Sequence, residues 1–244
     1  MKIDIYKGPG GHNNHAYLNW RYSKFTKDEH TMLDTMSESY FDSSQILLDA
    51  AINNNTDKKA DSIIFAILFS FNHYIELKIK AIINSYVYLD KDNKRLKEIL
   101  QKEENGEQYF VPFPKGHNIN ELTCDLIKIL KDSNLPKIEK TEKRFKYLKS
   151  YLSQLNKYQI FKDSKHLDFT RYPLNIKKDR YFYTETTDNI TISLYNFKVI
   201  STKIEEELSM LYHQLLYVEE LKNQKEEYLK ELKREIESEY RDQY

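Results

Sequence analysis

At 244 residues the chain has room for one large domain or two small ones, enough to bury most of its unfolded surface around its own core. Lys plus Arg and Asp plus Glu each total 38, so a formal net charge of zero excludes a global electrostatic pull toward nucleic acid or an anionic membrane and leaves only local patches. A single cysteine, Cys124, excludes an intrachain disulfide and fits a reducing cytosol.

Glycine and proline number five each, which suits helices with short connections and disfavours a turn-rich all-β fold. The expected fold class is mainly α: a helical bundle with a small β-hairpin and a long C-terminal helix. The start, MKIDIYKGPGGHNNH, lacks the apolar stretch of a signal peptide. The longest apolar segment, Ile63–Phe71, is too short to span a bilayer and runs into His, Glu and Lys. The expectation is a cytoplasmic protein with no membrane partner.

Residues 1–30 read as an irregular arm, with a turn at GPGG and with Tyr17 and Trp20 available to pack on the body. A helical domain spans 31–220. Leu33, Met36, Tyr40, Ile46, Leu47, Ala50 and Ala51 recur at helical spacing, and NNNTDKKAD is a polar connection. A buried helix follows from about Ala60 to Val87. KDNKRLKEILQKEENGEQ reads as part helix and part loop, and two prolines keep VPFPKGHN extended and turned. Asn118 or Asn120 can cap the next helix, whose apolar face carries Leu122, Leu126, Ile129 and Leu130. Cys124, on that amphipathic helix, reads as inert packing. Phe145, Leu148, Leu152 and Leu155 align on a further helix, and Pro173 stops the loop after it.

RYFYTETTDNITISL alternates around TDN and predicts a hairpin near 180–195. From about Asn196 one long helix or two follow. Ile204, Leu208, Leu211, Leu215 and Val218 step by four and three, as a coiled-coil seam does. The seam motivates a homodimer and can equally pack within the chain. Residues 221–244 form a charged helical tail, in which Leu221, Tyr228, Leu232 and Ile236 continue the seam past Lys225.

The chemical hints sit at three places. In FNHYIELKIK, Ile67, Leu68, Phe71, Ile75, Ile79 and Ile82 share the core face, while His73, Glu76 and Lys80 cluster opposite. Glu76 and Lys80 are at i and i+4 in the favourable order, worth ~0.2–0.5 kcal/mol if exposed. Two readings stand: an ion pair and a histidine on a partly wet face, or three groups lining a site. Buried charge is costly unless paired, so the stripe needs a reason. His117, in GHN just before a helix start, can meet an anion near free backbone N–H groups, or pack locally. Arg171, in HLDFTRYP, can clamp a carboxylate or phosphate bidentately, or pair with Glu76 or Asp168 to fasten its loop. His12 and His15 have no matching Cys or carboxylate cluster, so no metal is expected. GxxxxGK[ST], GxGxxG, HExxH and GxSxG are absent, and no cofactor is expected.

The order of HYIELKIKAI in an apolar helix, then GHNINEL, then DFTRYP before a hairpin and a last helix resembles the HEPN-like helical proteins of bacteria and archaea. The resemblance covers about Met36 to Leu216. It implies an up-and-down helical bundle that dimerises, found beside phage-defence genes or in toxin–antitoxin systems, often as a metal-independent ribonuclease. The family's Arg-x(4-6)-His motif is lacking: Arg21 and His30 are too far apart, and His166 and Arg171 have the spacing in reverse order. Catalytic residues therefore cannot be carried over. A rebuilt site would use His73 or His117 as acid and base, Glu76 to orient one of them, and Lys80 and Arg171 to hold phosphate. The alternative is a non-catalytic helical module that binds a protein partner or a nucleotide.

Overall fold

Residues 59–89 contain neither glycine nor proline and carry apolar side chains on every helical face, the pattern of a helix enclosed on all sides. In the computed structural model, which describes residues 29–90, 101–104, 107–110, 116–132, 135, 142–157, 170 and 190–242, this stretch is one helix, α2 (Lys59–Leu89). Every residue from Tyr74 to Tyr86 is buried.

Helix α1 (Glu29–Asn53) enters α2 through a short 3-10 turn, Thr56–Lys58. Asp57 and Lys58 both adopt a left-handed backbone, φ 55, where the chain reverses, and the Asn55 side chain accepts a hydrogen bond from the Ala60 N–H at 2.8 Å. The two helices are antiparallel: Asn84 meets Glu29, Lys78 meets Asp34, and the His73 ring meets Tyr40. The last helix, α5 (Leu194–Asp242), runs parallel to α2, with Phe197 against Phe71, Tyr212 beneath Lys78 and Lys222 at Leu89. Helices α3 (Ile119–Asp132) and α4 (Lys146–Lys157) also pack into this core. Tyr151 of α4 stands edge-on to Phe71 at 5.4 Å and donates to Asn72 Oδ1 at 2.7 Å.

The stretch Thr56–Leu89 is the one helix among the described residues long and apolar enough to cross a bilayer, at a mean hydropathy of 1.3. Over half of that apolar stretch is buried inside the bundle, against the other helices.

The fold is mainly helical, and several sequence expectations change. In the window 180–195, residues 180–189 lie outside the described residues. Ile190–Ser193 are irregular, and Leu194 and Tyr195 already belong to α5. No strand occurs among the described residues of that window. A short antiparallel pair instead joins β1 (Gln101–Glu104) to β2 (Glu107–Phe110), in the segment read as part helix and part loop. Asn105–Gly106, the dipeptide between them, is a hairpin signal that the surrounding charge run obscured. Of the expected arm, residues 1–28 lie outside the described residues, while Glu29 and His30 begin α1. Cys124 is exposed rather than packed, because the apolar face of α3 turns Leu122, Leu126, Ile129 and Leu130 inward. The seam of Ile204, Leu208, Leu211, Leu215 and Val218 is buried inside this chain and offers no surface to a second copy.

Several polar groups inside the core are paired across helices. Glu207 of α5 accepts the backbone N–H groups of Tyr147 at 2.9 Å and Leu148 at 3.0 Å, capping α4 from outside. Burial raises the Glu207 pKa, against the lowering effect of those N–H groups. Lys78, 1% exposed, forms an ion pair with Asp34 and lies 5.1 Å from the centre of the Tyr212 ring. Removing one partner of such a pair strands the other charge. We expect Asp34→Ala to cost about 3–5 kcal/mol in urea unfolding, and Asp34→Leu combined with Lys78→Met to recover most of it. A double variant no more stable than Asp34→Ala would count against the pairing.

Candidate functional site

On α2 the residues His73, Glu76 and Lys80 fall at i, i+3 and i+7, within one side of the helix. The fourth group arrives from α3. Gly116 takes φ 121, a backbone region that L side chains rarely adopt, and the chain turns there into the helix. Asn118 is the cap: its Oδ1 accepts from the N–H of Asn120 at 3.0 Å and of Glu121 at 3.3 Å, and its Nδ2 donates to Glu121 Oε1 at 3.0 Å. His117, held between that turn and that cap, is set against Glu76.

Glu76 is the hub. Its Oε1 accepts from Lys80 Nζ at 2.8 Å and from His117 Nδ1 at 2.8 Å. Its Oε2 lies 3.5 Å from His73 Nδ1, an electrostatic contact longer than a normal hydrogen bond. The His73 ring is itself walled by Tyr40, edge-on at 4.4 Å, and by Phe69, stacked at 5.8 Å.

Exposure is graded across the cluster. The Glu76 and Lys80 side chains are 4% and 6% exposed, His73 is 19% exposed and His117 is 62% exposed. Burial works to raise the Glu76 pKa, but His73, Lys80 and His117 outweigh it and lower the carboxyl to about 2. Glu76 is therefore ionised at neutral pH. An ionised carboxylate only accepts hydrogen bonds, so His117 Nδ1 carries the proton toward it. In the neutral ring the lone pair then sits on Nε2, on a largely exposed side chain. A ring held in one tautomer by a buried carboxylate can accept a proton at its other nitrogen, as a general base does.

Four of the five expected site residues thus come together: His73, Glu76, Lys80 and His117. Arg171, expected both as a catalytic group and as a phosphate holder, lies outside the described residues. Lys80 is buried with its ammonium on Glu76, which turns it toward the carboxylate rather than toward a ligand in solvent. Of the two readings of the stripe, the partly wet face fails at Glu76 and Lys80, which are sealed, and holds only at His73. Among the described residues no three His, Cys, Asp or Glu side chains come together to hold a metal.

Two polar groupings had no sequence signal. Lys78 and Asp34 are 44 positions apart. His30 Nδ1 meets the Tyr212 hydroxyl at 3.1 Å across 182 positions, with Glu219 3.6 Å from its other nitrogen. Tyr40 was legible only as a packing residue, and its place beside His73 needed the α1–α2 pairing, whereas Phe69 stands one turn before His73 on α2 itself.

Searches with family models, among curated proteins and among solved structures each found no match to this chain.

The electrostatics of Glu76 have a pH signature. Its folded pKa lies below the ordinary 4.5, so its ionised form adds stability above that pH and loses it as pH falls toward about 2. Glu76→Gln, which leaves Lys80 buried without a counter-charge, should unfold at lower urea than the parent at neutral pH. The gap should narrow as pH falls through that window. A gap independent of pH would show that Glu76 does not act through its charge.

Proposed function

We propose that this chain is a HEPN-like component of a bacterial phage-defence or toxin system, cytoplasmic, that cleaves RNA without a metal. The observation that carries the reading is the Glu76–His117 pair: a buried, ionised carboxylate 2.8 Å from the Nδ1 of a largely exposed imidazole. The order of HYIELKIKAI, GHNINEL and DFTRYP supports the family part of it.

In this reading His117 Nε2 takes the proton of a ribose 2′-hydroxyl, and the oxygen attacks the adjacent phosphorus. Glu76 stabilises the imidazolium that forms. The bond to the 5′-oxygen breaks, and His73, on the same helix face, returns a proton to that leaving oxygen. The products are a 2′,3′-cyclic phosphate and a 5′-hydroxyl. Holding the phosphate is the part that the sequence assigns to Arg171, which lies outside the described residues, and Lys80 keeps Glu76 charged and in place.

The test uses the purified chain, labelled RNA and EDTA. Cleavage to 2′,3′-cyclic ends is expected, with a 2′-deoxy substrate left intact. His117→Ala should lower the rate by about 10²–10⁴-fold. The exposure of that ring makes loss of folding a poor explanation for the drop. Expressed in a bacterium, the parent alone should arrest growth.

A second reading is favoured by the sealing of Glu76 and Lys80 and by the zero net charge: a non-catalytic helical module in which the cluster is a structural network binding a protein partner or nucleotide nearby. Intact RNA and normal growth with the parent and with His117→Ala alike would select it.

A further inference from the structure

The four-and-three stripe of α5 does not end where the bundle ends. Ile204, Leu208, Leu211, Leu215 and Val218 are buried, and Lys222 Nζ donates to the Leu89 carbonyl at 3.4 Å, where α2 stops. From Lys222 to Ser238 every side chain is exposed, although α5 continues unbroken to Asp242. At 1.5 Å per residue, the helix from Lys222 to its end at Asp242 projects about 30 Å. The same spacing, carried past Lys222 and Lys225, falls on Leu229, Leu232 and Ile236, which are 51%, 39% and 46% exposed. A highly charged helix of this length with an apolar stripe is marginal in water without a partner.

The charge pattern selects the partner and its direction. In a parallel self-pair each stripe residue meets its own copy, so Lys222 faces Lys222 and Lys225 faces Lys225. The flanking positions then bring no opposite charges together. In an antiparallel self-pair with Leu229 against the Leu232 of the other copy, Lys225 faces Ile236. Glu226 then stands beside the other copy's Lys233, twice by symmetry. Antiparallel helices also align their dipoles favourably.

We propose that the projecting end of α5 pairs antiparallel with the same segment of a second copy, with Leu229, Leu232 and Ile236 as its apolar seam and two Glu226–Lys233 pairs on its flanks. The surface is separate from the Glu76–His117 cluster and from the buried seam of Ile204–Val218.

The full chain in sedimentation equilibrium should show a reversible monomer–dimer exchange. Leu232→Glu should give a monomer whose bundle keeps its melting temperature, with helicity lost only from the projecting segment. Lys233→Glu, which sets Glu226 beside a glutamate in each pair, should weaken the dimer by about tenfold, and adding Glu226→Lys should restore it. In a Cys124→Ser background, Leu229→Cys and Leu232→Cys chains should cross-link to each other when mixed and not with themselves. A monomer at all concentrations overturns the proposal, including one whose tail amides are protected by its own chain. So does a dimer indifferent to Leu232→Glu, or one that cross-links Leu229→Cys to itself.

Discussion

One constraint organises the molecule: α2 is buried on all sides from Tyr74 to Tyr86, yet it carries Asn72, Glu76, Lys78, Lys80 and Asn84. A charge or amide in such a place is tolerable only if another group meets it. Each of these finds one, and most lie on a neighbouring helix. Asn72 takes the Tyr151 hydroxyl from α4, Lys78 takes Asp34 from α1, Asn84 reaches Glu29 of α1, and Glu76 takes His117 from the start of α3. Apolar contact alone would allow neighbouring helices to slide along α2. The polar contacts fix where along its length each one sits, because a shift of one turn would strand a buried charge.

The candidate site is a local consequence of that enclosure. Glu76 stands where the core meets the turn at Gly116, so its carboxylate is sealed while one of its partners reaches solvent. Interactions in a low-dielectric surround are stronger than in water, and three surrounding side chains hold the carboxyl ionised against the penalty of burial. The same geometry that satisfies a buried charge therefore sets the tautomer of an exposed histidine. Stability and the proposed chemistry share these atoms, which is why separating them requires substitutions at His117, the exposed member, rather than at Glu76.

The long last helix divides by what surrounds it rather than by its own pattern. Up to Val218 the stripe is core, and beyond Lys222 the continuing stripe is surface. Charged residues become far denser across that boundary, but the four-and-three spacing of apolar positions continues. The stripe loses its cover because α2 ends at Leu89.

The sequence by itself determined what depends on neighbours within a turn or two. Helical spacing marked α2, α3, α4 and α5, Asn118 was legible as a cap, and His73, Glu76 and Lys80 were placed on one side of a helix, because backbone geometry sets all of these locally. Only the tertiary structure decided which faces meet. His117 and Glu76 are 41 positions apart and Lys78 and Asp34 are 44, and nothing in either local pattern names the other. Whether the Glu76–Lys80 pair is wet or sealed, and whether the α5 seam is filled by this chain, were likewise settled by packing. Periodicity states that a face is apolar or charged, whereas burial depends on what the rest of the chain brings against it.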